Sequence, residues 1–520
     1  MKTFLKNFET DHYLVILVLI GYLVFQLPFL NLDFWNDEIY TLKYFTFVSP
    51  LQTVTDYHAP NNHVLFNLTH NFFLKLTGEK DLYTMMDHPW LARILPLIYS
   101  LGTLFFTFQC ARKIFGRAAA VFSLVIICTS IPFLNFATQV RGYSLSMCLL
   151  TAVTFCLVFY LDLPKRSLLI WIVLLIAALV YTIPLNLYPV AGMLFFLAVR
   201  FISELIQRDS TIEKSARQKE IKKLGLLMLM IVLGVFLSLV FYAGIFRDVF
   251  FNEYVTADPG FSPAKWFALV QEVFLSFFSN RFGLLLLIVP GIFVSANRFL
   301  RKENRKEFIF LFYLVILIIT PFIISFLRKD APPDRTFLNL LPFYSMVLAF
   351  FISGTVSMIT NRKAVALVKA GVLLYCFVNV SFEIKAINTR LLKNIETGVR
   401  SHSMYYNYYL AHYHPLEVVK KFKETHRDDS LFVVIHDAEP YDLPEYLAKF
   451  HIPVQDFSLQ DTALMAGKKV FLFSRYPNEI ENIDFCRQHR CRARLISEGI
   501  SYHNLFELER ADQPGTNRPE

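Results

Sequence analysis

Residues 13–38 read YLVILVLIGYLVFQLPFLNLDFWNDE. The part from Tyr13 to Leu30 carries no charge, and at 1.5 Å per helical residue it extends about 27 Å, close to the roughly 30 Å of a bilayer's hydrocarbon core. It is too long for a signal-peptide core and no small-residue cleavage site follows, so it is expected to remain as a first membrane span. The chain then turns polar at once, in Asn31-Leu-Asp-Phe-Trp-Asn-Asp-Glu38. A pair of carboxylates therefore stands at the membrane surface.

The rest of the 520 residues repeats the pattern. Hydrophobic residues make up 55% and charged residues 18%, against roughly 25% charged in ordinary soluble proteins. Disorder, coiled coil and a disulfide scaffold are excluded. Ten further apolar runs fall near 91–110, 118–134, 138–160, 167–183, 185–200, 224–246, 282–297, 308–327, 337–355 and 364–382. The expected fold is a polytopic α-helical membrane protein of about 11 transmembrane helices. The two runs around Pro184 are short, and losing both would leave the parity unchanged.

The formal net charge of +9 raises nucleic acid as a partner, but its distribution argues against one. Basic residues gather between apolar runs: Arg112, Lys113 and Arg117; Lys165 and Arg166; Arg200 to Lys223; Arg298 to Lys306; Arg362 and Lys363. With the N-terminus cytoplasmic, every tract lies inside, as the positive-inside rule requires. The expected location is the plasma (inner) membrane. The long loops 31–90, 247–281 and 328–336 then lie outside, together with everything after Phe382.

In loop 31–90, Ile39 to Val48 and Val64 to Leu76 suit short interfacial helices. The C-terminal part changes character. Pro415 to Thr425 and Leu443 to Phe450 read as helices, Ser430 to His436 and Lys469 to Ser474 as strands. The domains expected are a transmembrane module over 1–382, an interfacial linker over 383–414, an extracytoplasmic α/β domain over 415–510 and a disordered tail over 511–520. Tyr405 to Tyr409 suit an interfacial aromatic belt better than a sugar-stacking platform. Cys110, Cys128, Cys148, Cys156 and Cys376 lie in or beside apolar runs and read as small core residues. Cys486 and Cys491 suit a disulfide or two free thiols equally.

Asp37 and Glu38 are the candidate catalytic pair. A carboxylate where the dielectric falls, beside Trp35, has a pKa that can be tuned for general-base work. The same residues also suit a helix N-terminus, with Asn36 or Asp37 as cap and Glu38 near the positive end. Asp56, His58, Pro60, Asn61, Asn62 and His63 form a second cluster. It could bind a divalent metal, orient a hydroxyl-rich acceptor, or cap the helix starting near Val64. Arg141, Arg328, Lys329 and Arg335 supply cations on the same side. Alone each reads as snorkelling; together they suit an anionic headgroup, because arginine pairs bidentately with phosphate.

These motifs resemble the dolichyl-phosphate-mannose protein mannosyltransferase-like group of GT-C glycosyltransferases, which includes the bacterial enzyme that adds aminoarabinose to lipid A. The resemblance rests on Asp37-Glu38, the His-Pro element about 20 residues on, Pro89-Trp-Leu-Ala-Arg-Ile-Leu-Pro96, Phe115-Gly-Arg117 and Gln139-Val-Arg-Gly-Tyr-Ser-Leu145, followed by Tyr181-Thr182, Arg335 and Leu341-Pro342. It runs in order over residues 1 to 382. It implies transfer of a sugar from a polyprenyl-phosphate donor to a lipid, glycan or protein acceptor on the outer face. It also implies Asp37 as base or acceptor-orienting group, Glu38 as the second acid, and Arg141, Tyr143 and Arg335 at the donor phosphate. The group's usual His-Pro-Pro-Leu-Tyr element stands here as His58-Ala-Pro-Asn-Asn-His63, so acceptor preference does not carry over.

Elementary chemistry agrees. A polyprenyl phosphate is already a weak base, so its departure needs no general acid. One base plus a cationic clamp suffices, and direct displacement inverts the anomeric carbon. The rival expectation is a transporter or flippase of a lipid-linked or anionic substrate. Transporters place ionisable groups at the midplane on broken helices, whereas here the polar residues collect at the outer surface.

Overall fold

The computed structural model describes residues 10–206, 211–251 and 260–397, and in the C-terminal part 415–425, 432–435, 442–452, 454–455, 470–474, 491–497 and 504–510. The expected aromatic belt at Tyr405 to Tyr409, Cys486 and the tail from 511 lie outside these. Among the described residues, nine helices are long and apolar enough to cross a membrane: Tyr13–Leu30, Pro89–Phe115, Tyr143–Asp162, Pro184–Ile206, Ser215–Phe241, Phe282–Leu300, Arg305–Leu327, Asp334–Val356 and Arg362–Thr389. Two shorter apolar helices, Arg117–Cys128 and Arg166–Thr182, fill the third and fifth places. All the expected runs are therefore helical, the hairpin around Pro184 included. The chain is an integral membrane protein, and its segments are called spans one to eleven in this order. Span four packs against two and five, span five against seven, six against nine, and ten against three and eight.

Span three is only 12 residues long, about 18 Å and too short to cross alone. It breaks at Thr129 and Ser130 and resumes as Ile131–Phe136. A break frees backbone groups, which inside a membrane must be satisfied by protein. Arg281, fully buried, does this: its Nη1 donates to the Ile126 carbonyl at 2.6 Å and to Thr129 Oγ1 at 3.0 Å. Its Nε and Nη2 hold the Phe278 and Phe277 carbonyls, both at 2.8 Å. Ser279 Oγ accepts from the Ile131 N–H at 3.1 Å.

The loop after span one carries helices α1 (Asn36–Thr41) and α2 (Val64–Thr77). The helix expected over Ile39 to Val48 starts earlier and changes form. After Thr41 the backbone widens into a π-turn over Leu42–Thr46, closed by Phe47 N–H to the Leu42 carbonyl at 2.8 Å. The wider turn buries both Leu42 and Phe45. Loop 247–281 contributes α3 (Pro263–Phe278), which Ser262 caps by accepting from Lys265 N–H. The helix of span eleven runs on to Thr397 where an interfacial linker was expected from 383. No Gly or Pro interrupts residues 383–397, and Gly398 follows.

In the C-terminal part, α4 (Pro415–Thr425) and α5 (Asp442–Lys449) accompany five strands: β1 Phe432–Ile435, β2 Val454–Gln455, β3 Val470–Ser474, β4 Cys491–Ser497 and β5 Asn504–Arg510. The sheet order is β2-β1-β3-β5-β4, with β1 parallel to β2 and β3, and β5 antiparallel to β3 and β4. This is a small α/β sheet with a mixed edge, and it rests on the first loop. Asp33 Oδ2 accepts from the Leu416 N–H at 2.7 Å, in the first turn of α4. From α5, Tyr446 donates to the Phe34 carbonyl at 2.8 Å, Glu445 meets Lys43 at 2.5 Å, and Lys449 meets Asp87 at 2.8 Å. Residues 33, 34 and 43 flank α1, so the C-terminal part braces the segment that carries the acidic pair.

Candidate active site

Consecutive helical residues point about 100° apart, and α1 sends its two carboxylates different ways. Glu38 turns inward and is completely buried. Arg93, in the first turns of span two and equally buried, holds it with Nη2 at 2.8 Å and Nε at 3.3 Å. The remaining guanidinium protons fall on backbone carbonyls of the stretch that leaves span one, those of Phe29, Leu30, Leu32 and Asp33. Glu38 also accepts the Val140 N–H at 2.8 Å and reaches back to the Trp35 N–H at 3.4 Å. A fully satisfied buried pair of this kind fixes geometry. It ties the end of span one, the start of span two and the tract before span four to one point.

Asp37 faces the other way and remains 13% exposed at its side chain. Its Oδ2 lies 2.8 Å from Arg141 Nη1 and 3.4 Å from Arg335 Nη1. Arg335 comes from the first turn of span ten. Arg141 is only 2% exposed, and its Nη2 donates to Asn61 Oδ1 at 3.2 Å. The Arg141 guanidinium also sits 5.6 Å from the Tyr143 ring centroid. Neither Asp37 Oδ2 nor Arg141 Nη1 is aligned for a hydrogen bond, so their contact is an ion pair with directional capacity to spare. Among the described residues Arg141 Nε, both amide atoms of Gln139 and Ser144 Oγ are also buried without a hydrogen-bond partner. Buried polar groups are rarely left so. Here four come from the one short tract, 139–144, that also supplies the Arg141 pairing with Asp37.

His63 belongs to this site by another route. Its Nδ1 accepts the Gly142 N–H at 2.8 Å, and its ring meets Tyr143 edge-on at 5.1 Å. Burial, with Arg141 and Arg335 adding, holds its pKa well below the usual value. The ring is therefore neutral with its proton on Nε2. The close approach needs glycine at 142, where a Cβ would lie 2.7 Å from that of His63.

The second cluster divides. Asn62 is fully buried and spends its amide on the Thr53 and Asp56 carbonyls, while its oxygen accepts from Asn67. His58 and Asp56 stay at the surface, 2.5 Å apart, with Tyr40 Oη 2.8 Å from His58 Nε2. Asp56 thus touches both His58 and Asn62, but His63 turns away to Gly142, so the four side chains do not converge on one point. Among the described residues no three His, Cys, Asp or Glu groups converge as a metal set would. Arg328 also leaves the site, donating to Tyr188 Oη at 2.7 Å.

Two participants carried no assigned role in the sequence, Arg93 and Gln139, while Asn61 belonged to the second cluster. Arg93 had a visible signal, as a charged residue inside an apolar run. Gln139 had none, and the partner of Asn61, Arg141, lies 80 residues away.

No family model matches the chain, and no curated protein matches it. Among solved structures it is similar to ArnT from Cupriavidus metallidurans in the apo state, with 11% identity, 95% of this chain and 97% of that chain covered, and a TM-score of 0.50. The same protein bound to undecaprenyl phosphate matches at 11% identity over 95% and 98%, with a TM-score of 0.52. An oligosaccharyltransferase from Archaeoglobus fulgidus, in complex with Zn and sulfate, matches at 12% identity over 88% and 67%, with a TM-score of 0.47. At these identities the likeness to ArnT is one of fold.

Proposed function

We propose that the chain is a membrane glycosyltransferase that moves a sugar from a polyprenyl-phosphate donor to an acceptor on the extracytoplasmic face, with inversion and with Asp37 as base. The observation that carries this reading is the single carboxylate oxygen of Asp37 set between Arg141 and Arg335. Arg141 keeps Nη1 and Nε buried without an aligned hydrogen-bond partner, and a donor phosphate is the natural second anion for it. The ArnT structure with undecaprenyl phosphate gives a protein of similar fold that holds such a lipid.

The geometry suggests an order of events. Before the donor arrives, Asp37 is engaged by both arginines. When the donor phosphate engages the arginines, they share their charge with it and the carboxylate is freed toward the acceptor hydroxyl. The acceptor oxygen attacks the anomeric carbon as its proton passes to Asp37. The bond from that carbon to the phosphate oxygen breaks, its electron pair stays on the phosphate, and Arg141 and Arg335 stabilise the charge that develops there. Glu38 takes no part in this chemistry; clamped by Arg93, it fixes the direction in which Asp37 points. Tyr143 and neutral His63 shape the wall behind Arg141. The catalytic module is residues 1–382, the N-terminus is cytoplasmic, and the C-terminal α/β part is extracytoplasmic.

Purified protein given polyprenyl-phosphate sugars should release the free carrier phosphate. Asp37→Asn should abolish release while leaving the folded yield intact, and a variant that turned over normally would sink the assignment.

A further inference from the structure

Arg335 reaches Asp37 from an unusual element. The first seven residues of span ten, Asp334–Leu340, wind as a 3-10 helix before the α-helix begins at Leu341. Runs of this form beyond three or four residues are uncommon, because their hydrogen bonds are poorly aligned and side chains three apart eclipse. A run of seven needs outside support to keep one shape. Successive residues in it are about 120° apart, so Asn339, one turn and one residue after Arg335, points about 120° away from it. Holding Asn339 therefore fixes the rotation of the element, and with it the direction of Arg335.

The support comes from a third place in the chain. Asn186, in the short turn Pro184–Asn186 that opens span six, is buried, and its Oδ1 accepts from Asn339 Nδ2 at 2.7 Å and from Ser146 Oγ at 2.8 Å. Its Nδ2 donates to the Leu179 carbonyl at 2.8 Å, in the last turn of span five. Ser146 lies at the start of span four, just after the tract that carries Arg141, and is itself buried. One carboxamide oxygen thus joins the element of Arg335 to the helix that follows Arg141. A second tie runs beside it: Tyr188, also in span six, accepts from Arg328, which leads into the segment before span ten. A buried amide that uses both oxygen lone pairs and its nitrogen favours one arrangement, since a slip would leave polar groups unpaired.

We propose that Asn186 is a positioning residue, which sets the aim of Arg335 relative to the Arg141 tract so that both guanidinium groups meet at one anion. It acts through Asn339 and Ser146 and does no chemistry itself. This role rests on the reading of Arg141 and Arg335 as the clamp for the donor phosphate.

The probe is undecaprenyl phosphate, which presents the anion without a sugar and needs no acceptor, titrated onto the full-length protein in detergent with binding read by native mass spectrometry. Wild type should bind it, and Arg335→Gln should weaken binding about ten-fold, the scale of one charge-assisted hydrogen bond. Asn186→Leu, similar in size but unable to pair, should weaken binding by a similar factor. Asn186→Asp keeps an oxygen for both donors and should restore most of the affinity. The deciding measurement combines the two sites: in an Arg335→Gln background Asn186→Leu should add less than about two-fold, whereas independent losses multiply. Thr154→Val removes another buried hydrogen bond of span four, to Tyr313, and should bind as wild type. A single size-exclusion peak and the unfolding midpoint identify folded variants, and where Asn186→Leu fails to fold Asn339→Ala takes its place with the same expectations. If Arg335→Gln binds like wild type, the donor-phosphate reading fails and the role of Asn186 with it. If Arg335→Gln weakens binding but Asn186→Leu does not, or if their losses multiply, that reading stands and the positioning role alone is overturned.

Discussion

Asp37 and Glu38 are neighbours in sequence and opposites in role, and substitution should separate them. Glu38→Gln leaves Arg93 buried without its counter-charge, a loss of about 3–5 kcal/mol in comparable buried pairs. The thermal unfolding midpoint in detergent should fall accordingly. Asp37→Asn should leave that midpoint nearly unchanged and remove activity instead. Arg141 uses one Nη toward Asp37 and the other on Asn61, and lysine cannot do both. Arg141→Lys should therefore cost on the order of 10²-fold in turnover, comparable to losing one transition-state donor. The sequence marked the acidic pair, the Arg-Gly-Tyr tract and Arg335. It did not show which acid faces the ligand, because the clamp on Glu38 comes from Arg93, 55 residues away.

At the scale of elements, the contact between α4 and the end of span one makes the fold sensitive to pH. Burial raises the Asp33 carboxyl from its ordinary value of 3.8 to about 7; Glu417 adds to this, while the Leu416 N–H and Arg93 oppose it. Between about pH 4 and 7 the folded state therefore binds more protons at Asp33 than the unfolded state. The stability contributed here falls as pH rises through that window. Asp33→Asn keeps an oxygen for Leu416 and should flatten the profile of unfolding midpoint against pH between about 4 and 7. A profile of unchanged slope would contradict the contact. Tyr446 belongs to the same brace. Tyr446→Phe strips the buried Phe34 carbonyl of its donor, at about 1–3 kcal/mol, and should speed amide exchange in α1. The helices and first strands of the C-terminal part were legible because their periodicity is local. Their docking was not, since Lys43 and Glu445 are 402 residues apart.

At the scale of the molecule, eleven apolar runs could be read directly, because crossing a bilayer imposes length and hydropathy on each. Side is an expectation drawn from the basic tracts, and it has its own check. A reporter active only outside the cytoplasm, fused after residue 400, should be on, and one fused at the turn between spans seven and six, near 208, should be off. What hydropathy could not show was the break in span three. The carbonyl freed at Ile126 is claimed by Arg281, 155 residues further along the chain. At roughly 5–20 residues per second of synthesis, that donor is made about 8–30 s after the group it must satisfy. Span three thus cannot reach its final form as it leaves the ribosome. It must wait in a protected setting until span eight arrives, so assembly of this fold has an obligatory late step written into a single arginine. Arg281→Met should stall assembly there, giving a chain that is inserted yet readily degraded.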